Sequence, residues 1–569
     1  MKNKNDRLSI KFAGASGQGI NTTGQILTQA LNSAGYEIFG YREYPSLIKG
    51  GNASYQVDFS SHKINSSSKY CNILSTISEN SLHKYIYTVN QNGLIIHDGD
   101  EAPLTTEEEI YIKKNNIQII VLNSKKTAIN SGGTEIMANA VLLGFLWRIL
   151  KKDKKILVDE IMEFFADKQI DKQIEKKCIL AGYENSLYRD TYSNNILLPK
   201  TKTLHSKQYT MTGNDAIALG ALSAGVRAFY GYPMTPATSI YKLLGETSQQ
   251  TGLLVKQAEN EITAVQMALG SMYMGTRALT ATSGGGFDLM IETISSAGMS
   301  ETPLVIVLAQ RNGPATGVPT WTGAGDINTA VKGGHGDYPK CVISVSDLPS
   351  CYTLIQQAYN ISEKYQIPVI LLTEKQIAEG LFSIDQLPKP LKIERGLEKG
   401  NKRYKITDTG ISPRWIPSKS NKPYLSTTDE HLENGVSTED AVSIMKMSKK
   451  RMLKMETLEK EIPQPQYYGN KNAESVFVGF GSVKNTILDA IKEYPNYAYL
   501  HYEYIYPLKT EQFEKLVNQN KRIILVENNQ TGQLGSLISE KTGYTFSEKL
   551  LKYDGRPFFV EDILNFISE

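Results

Sequence analysis

Cysteine is scarce in this chain: four in 569 residues, at Cys71, Cys178, Cys341 and Cys351, with no Cys-x-x-Cys pair and no Cys/His cluster of metal-ligand spacing. The pattern argues against a disulfide framework, a zinc finger and a four-cysteine iron–sulfur cluster. Long apolar runs are also missing. The most apolar stretch, 138–150, is interrupted by Arg148 and falls short of the ~20 residues needed to cross a bilayer. The start, 1–7, is polar and carries no apolar segment of the kind a signal peptide requires. Neither charge dominates, since 62 Lys and Arg face 59 Asp and Glu for a net +3. That balance gives no electrostatic case for a nucleic acid or membrane partner. A reduced, cytoplasmic location is expected.

What is present is the punctuation of α/β architecture. At roughly 100 to 200 residues per domain the length implies about three to five domains. Residues 8–13 read as a strand, 14–19 as a glycine turn and 23–34 as a helix, the opening of a βαβ unit, and the pattern recurs. The expected fold is therefore α/β, with several doubly wound parallel-sheet domains. A first domain spans 1–190, a polar aperiodic linker 191–212, a second α/β domain 213–385, a Lys/Arg/Glu-rich connector 386–470, and a third α/β domain 471–569. Within the connector 438–461 reads as a charged helix, a type more often solvated than wrapped on other domains.

Several turns could carry chemistry. Gly14, Ser16, Gly17 and Gly19 sit between strand and helix, where backbone N–H groups and the helix dipole favour an anion such as phosphate. No Lys-Ser/Thr follows, so this is not a P-loop, and the glycine spacing differs from the dinucleotide fingerprint. The simpler reading is a tight turn. Lys49, in the loop that follows 44–46, could meet the same anion or face solvent.

Asn260 reads as the N-cap of a helix whose positions 261, 265, 268 and 272 form one apolar stripe headed by Glu261. Glu261 should therefore point inward, where burial favours the neutral carboxyl and makes proton sharing near neutral pH feasible; otherwise it only complements the helix dipole. Thr282, Ser283 and Gly284 follow a strand, where backbone can approach a ligand closely. Arg311 leaves another strand end and could clasp a carboxylate or form an interdomain ion pair. The loop 317–323, with Thr320 and Trp321, suggests a site wall, and 335–337 is a further polar turn.

Together these segments resemble the fused gamma-alpha subunit of 2-oxoacid:ferredoxin oxidoreductases, thiamine-diphosphate-dependent enzymes. The resemblance rests on GASGQGI at 14–20, YREYPSLIKGGNASYQV at 41–57 and GNDAIALGALSAG at 213–225. It continues through YPMTP at 232–236, ENEITAVQMALGSMYMG at 259–275, TSGGGFDLM at 282–290, QRNGPATGVPT at 310–320 and GGHGDYP at 333–339. VENNQTGQL at 526–534 and YDGRPF at 553–558 complete it.

The resemblance implies a gamma-like domain, a thiamine pyrimidine-binding domain and a transketolase C-terminal-like domain. It also implies that Tyr232, Pro233, Thr235, Glu261, Thr282, Ser283 and Gly284 hold the cofactor, with Glu261 on the aminopyrimidine N1'. By the same inference Thr235, Arg311 and Thr320 position the 2-oxoacid, with Glu261, Arg311 and Thr235 catalytic, and Gly14 to Gly19 with Lys49 lie on the coenzyme A side.

Met234 stands where the family has Ile, and Lys49 where it often has Arg; a lysine cannot make the fork-shaped phosphate contact. No Gly-Asp-Gly followed by Asn at the family's diphosphate spacing occurs. Mg2+, diphosphate binding and the [4Fe-4S] centre are thus expected in a separate beta subunit, with ferredoxin as electron acceptor and no activity from this chain alone. The expected reaction takes a 2-oxoacid and coenzyme A to acyl-CoA, CO2 and reduced ferredoxin. The alternatives are a non-redox or reverse-running thiamine enzyme and a non-catalytic assembly subunit.

Overall fold

The computed structural model describes residues 6–45, 51–166, 171–193, 196–201, 208–418 and 423–569. The chain forms two units, Met1–Met211 with Gly380–Gln386 and Phe559–Glu569, and Thr212–Glu379 with Leu387–Phe558.

The first unit is built on an eight-stranded sheet. Its spatial order is Gln118–Leu122, Val89–Asp98, Cys71–Thr76, Arg7–Ala15, Asn52–Ser60, Glu37–Glu43, Leu381–Ile384, Tyr209–Thr212. The first four strands run parallel, but Asn52–Ser60 pairs antiparallel with both of its neighbours. On this side the otherwise parallel sheet is mixed. Only eight residues separate Glu43 from Asn52, too few for the helical crossover that a parallel connection needs.

Leu381–Ile384, read from sequence as the end of the second domain, adds antiparallel to Glu37–Glu43 instead. Ser383 donates to Glu37 at 2.8 Å and accepts the Ile38 N–H at 3.1 Å, and Phe382 meets Phe39 edge-on at 4.9 Å. The last helix, Val560–Ser568, also belongs to this unit, where the Glu561 carboxylate accepts the Lys69 N–H.

The second unit holds two sheets. One runs Tyr504–Tyr506, Cys341–Ser344, Pro368–Glu374, Leu304–Gln310, Ala278–Thr282, Ala228–Gly231, Leu254–Gln257. All its pairs are parallel except the first. Leu304–Gln310 and Pro368–Glu374 are buried along their whole lengths, as central parallel strands covered on both faces must be. The other sheet runs Gln466–Gly469, Tyr497–Tyr502, Ser475–Phe480, Arg522–Glu527, Glu548–Leu551, again parallel but for its first pair. Parallel strands put their carboxyl ends on one edge, so the turns after Gly231, Thr282 and Gln310 open on the same side, the usual place for a ligand in such sheets.

The connector is not a solvated spacer. Its helix, Ala441–Glu461, buries Lys450, Arg451 and Lys454. Lys450 and Lys454 both reach the buried carboxylate of Glu301, and Arg451 pairs with Glu430. A second buried carboxylate, Glu363, takes Arg395 and Arg414 from the connector and Arg277 from its own domain. Charge-rich sequence here marks ion pairing across a dry interface, because such groups are buried only when paired.

Candidate functional site

Glu261 opens the helix Glu261–Tyr273, and the Asn260 side chain accepts the Thr263 N–H at 2.9 Å as N-cap. The cap fixes the first turn, and Glu261 is 3% exposed at the head of the buried stripe Val265, Ala268, Met272. Its Oε1 is buried without a hydrogen-bond partner, a state that costs roughly 1–3 kcal/mol unless a donor arrives. The neighbouring Glu259 is exposed and spends its carboxylate on the Thr263 hydroxyl at 2.8 Å.

Opposite Glu261 lies Gly286, in the first turn of the helix Gly284–Met299. A Cβ added there would stand 2.6 Å from Glu261 Oε1, 2.8 Å from its Cγ, and closer still to Thr282 Oγ1. Only glycine leaves this cradle open. Thr282 and Ser283 are fully buried, and the Ser283 hydroxyl, at the N-cap position of that helix, has no partner.

The turn 232–236 approaches from the next strand. Tyr232, Pro233 and Met234 line a small hollow with Phe229 and Tyr241, and Met234 Sδ lies 3.9 Å from the Thr282 hydroxyl. The turn is pinned from behind by Asn214, whose Nδ2 donates to the Pro236 carbonyl at 2.8 Å and to Ser239 Oγ at 2.7 Å. Asn214 lies in the 213–225 segment, where nothing in its spacing signals this contact.

A cleft of about 450 Å3 adjoins these elements. It is lined by Gly284, Gly285 and Asp288 of the helix start, by Arg311, by 312–315 and 323–326, and by 528–531, Gln533 and Tyr553. Arg311 donates to the Thr235 backbone carbonyl at 2.9 Å, so Thr235 meets Arg311 through its main chain rather than its hydroxyl. Burial lowers the Arg311 pKa against the opposing pull of Asp326. Thr320 is buried and does not line the cleft. Trp321, expected as a wall, does not line the cleft either; its ring carries the Arg556 guanidinium 3.3 Å from the centroid.

The far side of the cleft is held by two buried carboxylates. Glu527 accepts the N–H groups of Leu534 and Gly535 and the Asn529 amide, fixing the loop before the helix Gln533–Thr542. Glu374 accepts the Ser482 N–H at 2.7 Å and the Thr322 hydroxyl at 3.2 Å. Burial raises the pKa of both. Asn529 and Gln533 reach across to the carbonyls of Ala324 and Gly325.

In the first unit, Gly17 and Gly19 take positive φ, and Gly19 caps the helix Ile20–Ser33. The N–H groups of Ala15, Ser16 and Gln18 are already bonded, to Gln18 Oε1, Gly51 and Ala15, and Asn139 donates to the Gln18 carbonyl. Fewer donors remain for an anion than the sequence suggested. Lys49 lies outside the described residues. Among the described residues no group of three or more His, Cys, Asp or Glu side chains could hold a metal, and no helix is long and apolar enough to cross a membrane.

A 2-oxoacid:ferredoxin oxidoreductase subunit alpha of Sulfolobus sp. is 32% identical over 617 aligned positions, covering 98% of this chain and 96% of the relative. The chain belongs to that family. Family models agree: "Pyruvate flavodoxin/ferredoxin oxidoreductase, thiamine diP-bdg" matches residues 219–450 and "Pyruvate ferredoxin/flavodoxin oxidoreductase" residues 9–185. The alpha subunit of the Saccharolobus solfataricus 2-oxoacid:ferredoxin oxidoreductase is 30% identical over 98% of the chain and 96% of its own length. A solved 2-oxoglutarate:ferredoxin oxidoreductase from Magnetococcus marinus, with 2-oxoglutarate, coenzyme A and succinyl-CoA bound, matches with a TM-score of 0.90. Its identity is 27%, over 99% of each chain. The Glu261 cradle falls within 219–450, the segment of this chain matched by the thiamine-binding model.

Proposed function

We propose that this chain is the gamma-alpha subunit of a 2-oxoacid:ferredoxin oxidoreductase and provides the pyrimidine half of a thiamine diphosphate site. The observation that carries the reading is the unsatisfied, buried Glu261 Oε1 facing the cradle left open by Gly286. An aminopyrimidine ring nitrogen suits that oxygen, and a flat ring suits a space with no Cβ. Thr282, Ser283, Gly284 and the 232–236 turn would form the walls.

Bound thiamine supplies the electron sink that decarboxylation of a 2-oxoacid requires. The chain's own residues bind and orient. Glu261 holds or releases a proton at Oε1 toward the ring nitrogen, which is acid–base assistance at a buried position. Arg311, its orientation set by the Thr235 carbonyl, steers the substrate carboxylate. Its grip must loosen as the carboxylate leaves as CO2, so tight ground-state binding would be wasted.

Arg311, Thr235 and Thr320 position the 2-oxoacid in this reading. The Gly14 to Gly19 turn serves the coenzyme A side. The overall reaction joins the acyl group to coenzyme A, releases CO2 and passes two electrons to ferredoxin. A beta subunit brings Mg2+, the diphosphate site and a [4Fe-4S] centre, and the complex works in the cytoplasm.

The test is co-purification of the tagged chain from its native host, followed by assay against a panel of 2-oxoacids with coenzyme A and a viologen dye. A brown complex that reduces dye only with both substrates supports the reading. An active but colourless complex contradicts it.

A further inference from the structure

The Arg311 cleft has a charge imbalance that its proposed substrate must overcome. Among its lining residues are two acids, Asp288 and Asp326, and one cation, Arg311; Tyr553 is the remaining titratable group. The Asp326 carboxyl lies at the start of the helix Gly284–Met299, with Oδ2 3.1 Å and Oδ1 3.3 Å from the position a Gly284 Cβ would take. Its backbone is fixed by the Asp326 N–H donating to Gln310 Oε1 at 3.0 Å. The helix that follows Asp326 carries Lys332, whose charge is spent on Glu540. From the opposite wall Asn529 and Gln533 bring no charge, and their amides are already bonded to the Ala324 and Gly325 carbonyls. Asp326 thus occupies, with a negative charge, ground that both the helix N-terminus and Arg311 make attractive to an anion.

Resting on the function proposed above, we propose that Asp326 is a positioning residue that couples 2-oxoacid entry to proton uptake. The substrate carboxylate takes its place beside Arg311 as the Asp326 carboxyl accepts one proton from solvent. No electrons move, and the proton returns to solvent when the site empties. Burial and the nearby Asp288 push the Asp326 pKa up to about 6, with Arg311 pulling the other way. A proton is therefore accessible near neutrality. Asp288 is exposed and its charge is the more fully solvated.

The experiment uses the complete complex of this chain with its partner subunits. Absence of turnover with every 2-oxoacid would defeat the functional reading itself. Given turnover, kcat/KM should fall roughly tenfold per pH unit above about pH 6, carried mainly by KM while kcat changes little. Asp326→Asn should remove that limb. Asp288→Asn should keep the limb but move its midpoint downward, since it deletes a repulsive neighbour. Calorimetry of a non-reacting 2-oxoacid analogue at pH 7, in buffers of different ionisation enthalpy, should show uptake of about one proton by the unaltered complex. The proposal is overturned if binding is proton-neutral, or if Asp326→Asn keeps the wild-type limb.

Discussion

Gly286→Ala is the sharpest test of the Glu261 cradle. The added Cβ would lie 2.6 Å from Glu261 Oε1 and 2.8 Å from its Cγ, whereas ordinary contact begins near 3.4 Å. Thr282, on the other side, is fully buried and cannot yield. The Glu261 carboxyl must therefore retreat by about 1 Å. Overpacking of this kind costs about 1–3 kcal/mol, and a displacement of ~1 Å at a reacting group can cost about 100-fold in rate. The expected result is a lower urea midpoint together with a fall of about two orders of magnitude in dye-reducing kcat for the complex.

Gly270→Ala is the control, because a Cβ there meets nothing within 4 Å. It sits inside the helix Glu261–Tyr273 and should stabilise by about 0.5–1 kcal/mol with activity unchanged. If Gly286→Ala matched wild type in both stability and kcat, Glu261 would not be packed as described, and the cradle argument would fail.

Other consequences concern the connector and the Trp321 loop. Glu301→Gln leaves Lys450 and Lys454 without their carboxylate, and removal of one member of a buried ionic cluster costs about 3–5 kcal/mol; denaturant unfolding checks this. Burial alone would raise the Glu301 pKa, but Lys450, Lys454 and Arg403 hold it far below the usual range. Its contribution is therefore present above the unfolded value of about 4.3 and is lost as the pH falls below it. Limited proteolysis across pH 3–6 should show acid release of the connector in wild type, and little further acid dependence in Glu301→Gln. Arg556→Ala removes the cation stacked on Trp321 and should cost about 0.5–2 kcal/mol, read by thermal unfolding.

Legibility followed the physics of each element. The placement of Glu261 could be read because an Asn N-cap and a stripe of apolar residues fix a helix face with local information alone. The central parallel strands were legible for a similar reason, being continuous apolar runs. What escaped depends on contacts far apart in sequence. Leu381–Ile384 falls inside the second domain as read from sequence, and only the contacts of Ser383 and Phe382 with Glu37 and Phe39 place it in the first sheet. Lys450 and Lys454 look solvated in sequence because charge normally is, and only the buried Glu301 reverses that. Asp326 sits in a loop of glycine and threonine with no periodicity, so its place at the start of a distant helix had no local signal. Gly286 lies in a segment that reads only as one where backbone can approach a ligand, and the structure makes it the floor of a cradle.

The central claim, that Glu261 serves a bound thiamine from this chain, is tested most directly by Glu261→Gln in the reconstituted complex. The substitution keeps the shape and removes the exchangeable carboxyl proton. The account predicts that 2-oxoacid-dependent dye reduction falls by about 100-fold or more, while assembly with the partner subunits is unchanged. Full retention of wild-type activity would contradict it.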